Sequence, residues 1–534
     1  MLNFARNNMN YMEKTLLILI LCLIQSSFAA AQYVWQDIDK GKTQKAHPFS
    51  DMQYKVEMQG SFSDDKTPLW LNANRYGLSS LEKNNGYLRG AVSRPLNADS
   101  ARRWGIGYGI DMAATTHYTS KAVLQQAYIE ARWLRGTLTV GEKEFPMELK
   151  NNRLSSGSQT LGINARPVPQ VRLALPDYWT IPALGRWLSV KGHVAYGIFT
   201  DDDWQKDFTK QQSRFTEHAL YHSKAGYLLI GKPQAFYPLY LEVGLEMAAQ
   251  FGGTSYRIGE DGKPVGMKAG HGLKDFYNAF IPGGQDATDG AYGNIEGNQL
   301  GSWVGRLTYD ADTWKAAIYY DHYFEDHSQM FFLDYDGYGE GSEYMQKKKH
   351  KFFLYSLKDI MLGGEVNIKT GRWLKSVVLE YLYTKYQSGP VYHDRTSNIP
   401  DHIAGRDNYY NHNNYTGWQH WGQVMGNPLY RSPIYNDNGQ IRIEDNRFVA
   451  WHLGLEGGPN DRLNYRVLAS WQRGYGTYDT PYTPKPRHNA SFMVEAAYHF
   501  PHEWVVKGAY GMDFGSILGH NKGVQITIIK SGKL

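Results

Sequence analysis

From Trp187 to Phe199 every second position carries one kind of residue: Leu188, Val190, Gly192, Val194, Tyr196 and Ile198 alternate with Ser189, Lys191, His193, Ala195 and Gly197. Successive side chains of an extended strand point to opposite faces, so a period of two places one face in an apolar medium and the other in a wet one. The rhythm returns along most of the chain. Ile106/Tyr108/Ile110/Met112, Ala127/Ile129/Ala131/Trp133, Val171/Leu173/Leu175, Tyr227/Leu229, Leu239/Leu241/Val243/Leu245/Met247 and Trp504/Val506/Gly508/Tyr510/Met512 are expected outward faces.

What the apolar medium is follows from the N-terminal segment. Lys14 precedes the apolar run Leu16 to Ile24, and Ala29-Ala30-Ala31 forms a small-residue cleavage site before Gln32. Residues 1–31 therefore read as a secretory signal peptide. The single cysteine, Cys22, lies inside it, so the exported chain is expected to hold together without disulfides. Past the signal no apolar run is long enough for a spanning helix. Mean hydropathy is −0.54, which suits a barrel: half of each strand meets lipid while lumen and loops stay polar. The 40 tyrosines and 15 tryptophans fit membrane-interface girdles. A net charge of +5 is too mild to argue for nucleic acid.

Connection lengths test this independently of hydropathy. Short links at Leu134–Gly136, Lys232–Phe236, Asp310–Asp312, Gly371–Trp373, Gly458–Arg462 and Pro501–His502 alternate with long ones at 144–168, 201–222, 249–300, 323–361, 387–446 and 474–487. Outer-membrane barrels have short periplasmic turns, long outer loops and both termini inside. The alternation closes if the residues before Gln125 supply three strands, for about 18 in total. The expected fold is thus an all-β transmembrane outer-membrane barrel over 52–534 with long extracellular loops at 249–300, 323–361 and 387–446. The stretch Met52–Tyr76 must supply one strand and offers two candidates, around Val56/Met58 and around Leu69/Leu71. Residues 32–51 form a polar periplasmic segment, read either as an inward plug or as a disordered leader.

Candidate chemistry concentrates in the loops. Tyr409, Tyr410, Tyr415, Trp418, His420 and Trp421 stand among asparagines, and flat rings beside amide groups suit a sugar; the same rings also suit the packing of a folded loop. Glu242 and Glu246 are expected to face the lumen. Paired carboxylates can do acid/base work, but pairing with lumen arginines such as Arg132, Arg172 or Arg306 is the stronger reading. No nucleophile elbow and no histidine cluster of metal-ligand type occurs. Asp334-Tyr335-Asp336-Gly337 lacks the spacing of a calcium loop. The expectation is a protein that is no enzyme and carries neither metal nor cofactor.

The core Asn164-Ala165-Arg166-Pro167-Val168-Pro169 resembles the hallmark of the Wzi capsule-assembly family of outer-membrane proteins. Further stretches agree: Trp70-Leu71-Asn72-Ala73-Asn74-Arg75-Tyr76-Gly77, HSKAGYLLIGKP from His222 to Pro233, Gly244 to Gly253, and Gly511-Met512-Asp513-Phe514-Gly515. The resemblance implies an 18-stranded barrel in the Gram-negative outer membrane, its mouth closed by outer loops. It also implies a lectin that binds exported capsular or other surface polysaccharide and attaches it to the cell, with outer-membrane lipid and the capsule-export machinery as partners. An outer-membrane diffusion channel and an outer-membrane hydrolase are the alternatives. Pro167 and Pro169 fix the backbone as the chain leaves a loop for a strand. Arg166 is expected at the barrel mouth, there to pair with a wall carboxylate or bind acidic sugar. The C-terminal Lys530-Ser531-Gly532-Lys533-Leu534 is expected to be a short tail beyond a last strand ending near Ile529.

Overall fold

The computed structural model describes residues 49–99, 103–235, 237–281, 297–325, 337–338, 347–348, 359–385, 387–393 and 402–534. The signal peptide, nearly all of the 32–51 segment, the Asp334–Asp336 stretch and most of the 323–361 loop lie outside these residues.

Eighteen strands form one closed antiparallel barrel. They are β1 (Gln53–Ser63), β2 (Asn84–Arg94), β3 (Trp104–Thr116), β4 (Ala122–Trp133), β5 (Gly136–Glu142) and β6 (Gln170–Thr180). β7 (Leu188–Ile198), β8 (Leu220–Ile230), β9 (Leu239–Phe251), β10 (Asn298–Asp310), β11 (Trp314–Glu325) and β12 (Ile360–Ile368) follow. The wall is completed by β13 (Ser376–Tyr383), β14 (Phe448–Gly457), β15 (Leu463–Gly474), β16 (Arg487–Phe500), β17 (Trp504–Gly515) and β18 (Asn521–Lys533). Each strand pairs with its chain neighbours, and β18 returns to β1 along a register from Gln53↔Lys533 to Ser63↔Gly523. Closure leaves no edge strand, so the wall amides find partners within the sheet along most of its length, as a lipid environment requires.

The period of two decides which face meets lipid. On β3, Ile106 and Ile110 are about half exposed, whereas Asp111 and Ala113, of the opposite parity and further along the strand, are 3% and 2% exposed. Trp104 and Trp133 stack with ring centroids 5.8 Å apart at the end of the barrel with short turns, where Trp314 and Trp504 also stand exposed. Amphipathic rings at that height match a membrane interface. Three strands precede Gln125, and the long connections all leave from the opposite end, which is the outer end in barrels of this kind.

The structure corrects the sequence reading at two places and chooses between open candidates at a third. On β8, Tyr227 and Leu229 are 4% exposed each and face inward; Gly226, Leu228 and Ile230 pair with the outward Leu245, Val243 and Leu241. The run Tyr227-Leu228-Leu229-Ile230 is apolar at both parities, so hydropathy alone does not choose, and the bond from the Tyr227 hydroxyl to Glu246, 2.8 Å, fixes it. Residues around Leu69/Leu71 are a helical turn, α1 (Leu69–Asn72), following Pro68, so the Val56/Met58 candidate is the first strand. The last strand runs on to Lys533 because β1 offers it partners as far as Gln53.

Candidate functional site

The barrel is filled by its own loops. Residues 143–169 dip into the lumen and are held by three wall carboxylates on three different strands. Glu246 on β9 accepts from the Ser158 hydroxyl at 3.2 Å, Asp321 on β11 accepts from the Gln159 amide at 3.0 Å, and Glu380 on β13 accepts from the Ser156 amide at 2.8 Å. Lys150 reaches Asp321 at 2.8 Å, both side chains being essentially buried. Burial alone would depress the Lys150 ammonium, but Asp321 and Glu246 outweigh it and hold its pKa above the ordinary lysine value. Such anchoring satisfies each buried charge, which is otherwise costly.

A second layer, residues 407–447, lies on the first. Gly162 and Asn164 bond to the Met425 and Val424 carbonyls at 3.0 Å each, and Asn427 bonds the Gly157 carbonyl at 2.9 Å. Tyr76 and Gly77 of the 64–83 loop bond back to the Ile163 and Asn164 carbonyls at 2.8 and 2.9 Å. Gly77 sits at φ +68° with the Arg166 backbone so close that a Cβ would meet it at 2.4 Å, so this crossing admits only glycine. The hallmark Asn164–Pro169 stretch is therefore the crossing point of three loops.

This packing changes the meaning of the aromatic loop. Tyr409, Tyr410 and Trp418 are 0% exposed, Tyr415 4% and His420 0%. Trp418 donates its indole N–H to the Thr160 carbonyl at 3.0 Å and stacks on Tyr221 at 6.0 Å. Tyr410 bonds the Gln159 carbonyl through its hydroxyl, and Tyr415 bonds Gly252 at 3.1 Å. As surface glycan contacts these five are corrected: their side chains are buried in the core of the plug. His420 shares its ring nitrogens between the Arg166 carbonyl and Thr200, at 3.0 and 3.1 Å. Burial holds it below the usual histidine range despite Asp201 nearby.

Trp421 remains partly open, and Arg166, 6% exposed, lies against it. The Arg166 guanidinium lies 4.2 Å over the Trp421 ring and donates to the hydroxyls of Thr119 at 2.6 Å and Ser120 at 3.3 Å. The expected wall carboxylate is not at bonding distance. Desolvation pushes Arg166 down to about 10, with Glu142 and Asp201 opposing from farther away.

Two arginines that sequence reasoning did not single out share one turn. Arg214 donates to the Asn413 carbonyl at 2.8 Å, and Arg257 donates to the same carbonyl at 2.7 Å and to the Asn414 amide oxygen at 2.9 Å. Burial, then Arg257 and Arg442, push Arg214 down to about 10. Among the described residues, no carboxylate lies within ion-pair distance of Arg166, Arg214 or Arg257. Farther round the rim, Arg447 stacks on Tyr478 at 3.6 Å and Arg487 on Tyr482 at 4.2 Å. Guanidinium groups with rings beside them and no acid to neutralise them are suited to an acidic, ring-shaped ligand.

The lumen charges resolve differently from expectation. Glu246 takes Ser158 and Tyr227, with Lys150 beside it, and no arginine. Glu242 stands opposite Arg306 in the ladder, yet Arg306 turns to Glu365 at 2.8 Å. Arg132 bonds the Asp99 carbonyl, and Arg172 lies 4.1 Å over the Phe145 ring. The reason is the inserted loop, which brings hydroxyls, amides and Phe145 to acids and arginines that an empty lumen would leave to one another. No cluster of three metal-ligating side chains occurs among the described residues.

No family model matches the chain, and no curated protein matches it by sequence. Among solved structures it is similar to Wzi, an outer membrane protein involved in group 1 capsule assembly in Escherichia coli and a carbohydrate-binding β-barrel. Identity is 13%, over 89% of this chain and 83% of that one, with a TM-score of 0.51. OprD of Pseudomonas aeruginosa (8% identity, 91% and 95% covered, TM-score 0.42) and OccAB4 of Acinetobacter baumannii (10%, 91% and 100%, 0.42) also match. The resemblance to the Wzi family seen in the sequence is met at the level of fold: the chain is an 18-stranded barrel of outer-membrane type.

Proposed function

We propose that this chain binds an acidic surface polysaccharide, of capsular kind, on the outer face of its plug and so attaches it to the cell. The observation that carries the reading is the pair Arg214 and Arg257, held together by neutral partners on the Asn413–Asn414 turn, with Arg166 against the Trp421 ring as a further cation without a bonded acid. Cations kept together without counter-ions are stabilised when an anion arrives, and a polymer repeats the contact along its length. The filled lumen supports binding over conduction, because two layers of loop are bonded to each other and to the wall across it. The likeness to a carbohydrate-binding barrel points the same way.

Titration of purified capsule against the detergent-solubilised protein tests this. A variant with Arg214→Gln and Arg257→Gln is expected to bind a uronic-acid polymer roughly tenfold to a hundredfold more weakly, since a hydrogen bond to a charged group is worth about 1.5–3 kcal/mol. The native affinity is expected to fall with added salt. Equal affinity of native and variant protein, or equal binding of neutral and acidic polymers, overturns the reading. In cells, deletion is expected to release capsule into the medium without stopping its synthesis.

A further inference from the structure

The opposite face of the plug carries a second cluster of charge that the outer surface does not use. A cavity of about 160 Å³ lies between the 64–83 and 143–169 loops and the wall. It is lined by Arg75, Arg153, Arg466 and Lys507 against Glu495 alone among acids. Arg466 and Lys507 are each the fourth residue of β15 and β17, counted from the short turns, and Arg153 is exposed there. The cavity therefore opens toward the short-turn, periplasmic end.

Two of the four cations are accounted for. Arg153 meets Glu456 at 2.7 Å and Arg466 meets Glu495 at 3.3 Å. Glu57, whose charge is felt at Lys507, is taken up by Lys55 at 3.1 Å and by the Tyr87 hydroxyl. Arg75 and Lys507 are left without an acid at bonding distance among the described residues. Arg75 is the sharper case, because its Nε and Nη2 are buried and have no hydrogen-bond partner. Buried guanidinium nitrogens are almost always bonded, so an unpartnered pair on a residue that lines the cavity singles Arg75 out within this cluster.

We propose that this cavity is a periplasm-facing binding site for a phosphate group. Arg75 and Lys507 both line the cavity, a guanidinium being suited to the oxygens of a tetrahedral anion and the ammonium adding a second positive charge from the adjoining wall. Two surplus cations match a phosphate monoester, with a charge of about −1.5 to −2 at neutral pH, better than the single charge of a sugar carboxylate. None of Arg166, Arg214 and Arg257 lines this cavity, and the proposal does not depend on what those arginines bind.

Calorimetric titration of the full-length exported chain, with Arg214→Gln and Arg257→Gln to silence the outer face, distinguishes the possibilities. Inorganic phosphate and glucose 1-phosphate are the two probes and glucuronate the monoanionic control. Saturable binding of phosphate, weakened about tenfold or more by Arg75→Gln and again by Lys507→Gln, is the expected result. Lys507 is half-exposed, so its substitution leaves a folded barrel to measure should Arg75→Gln fail to assemble. Stronger binding of glucose 1-phosphate than of inorganic phosphate assigns the site to a sugar-borne group, and the reverse order assigns it to the free ion. Phosphate binding untouched by both substitutions, glucuronate binding as tightly as phosphate, or no phosphate binding below about 10 mM overturns the proposal.

Discussion

Replacing Trp418 with alanine separates a plug residue from a ligand contact. Its side chain is fully enclosed, bonded to the Thr160 carbonyl at 3.0 Å and stacked on Tyr221 of the wall. Truncating a buried tryptophan costs about 3–5 kcal/mol, part of it the loss of the indole donor to the Thr160 carbonyl, worth about 1–3 kcal/mol. Trp418 belongs to a loop and contributes nothing to the barrel ladder, so the cost falls on the seating of residues 407–447 upon 143–169. At about 1.4 kcal/mol per factor of ten, the unseated population rises roughly a hundredfold to a few thousandfold. A barrel of about 18 strands with its lumen vacated is wide enough to pass water and ions. Planar-bilayer recording is expected to show a silent native protein and a Trp418→Ala variant with intermittent openings. Trp418→Phe, which keeps most of the volume and loses the N–H, is expected to fall between them. The reasoning fails if Trp418→Ala stays silent and as heat-stable as the native protein while losing affinity for glycan, because that is the behaviour of a surface contact.

Two further substitutions probe the same architecture. Glu380→Ala removes the acceptor used by the Ser155 and Tyr319 hydroxyls at 2.5 Å each and by the Ser156 amide; a loss of about 3–5 kcal/mol in urea unfolding is expected, and a change under about 1 kcal/mol contradicts the anchor. Asp445, buried beneath the outer loops, accepts from the Gly476 amide at 3.0 Å and Gln472 at 3.1 Å, yet burial pushes it up to about 7. Its folded-state pKa is raised, so the native state binds the extra proton between the ordinary aspartate value and about 7. Stability from this group is therefore complete at low pH and is lost as pH rises through about 7. Resistance of the outer loops to protease is expected to be greater at pH 5 than at pH 8, and Asp445→Asn is expected to flatten that difference.

Most of the wall was legible because lipid imposes a single demand, repeated every second residue. Ile106, Ile110, Leu138, Val140, Val171 and Leu173 all face outward as their spacing requires. The rule weakened where both faces are apolar, as at Tyr227 to Ile230, since an inward plug is itself a greasy neighbour. The plug left no reliable periodic trace: Leu69 and Leu71 alternate like a strand yet form a helical turn, Tyr409 to Trp421 follow no sheet or helix repeat, and rings packed on loop carbonyls have the same composition as rings waiting for a sugar. Arg166 was visible through its hallmark prolines. Arg214 and Arg257 were not, because lone arginines in separate long loops carry no spacing, and only folding brings both to the Asn413 carbonyl.

The anchoring of the inner loop also dictates an order of events during biogenesis. Residues 143–169 emerge between β5 and β6, but the acids that hold them, Glu246, Asp321 and Glu380, arrive on β9, β11 and β13. The loop must wait, unseated, while much of the remaining chain is delivered, and contacts so distant in sequence are slow to form. Curling of the late strands toward β1 is then what presents the three acids to Lys150, Ser156 and Gln159, so sealing the hoop and stoppering it become a single, late, cooperative step.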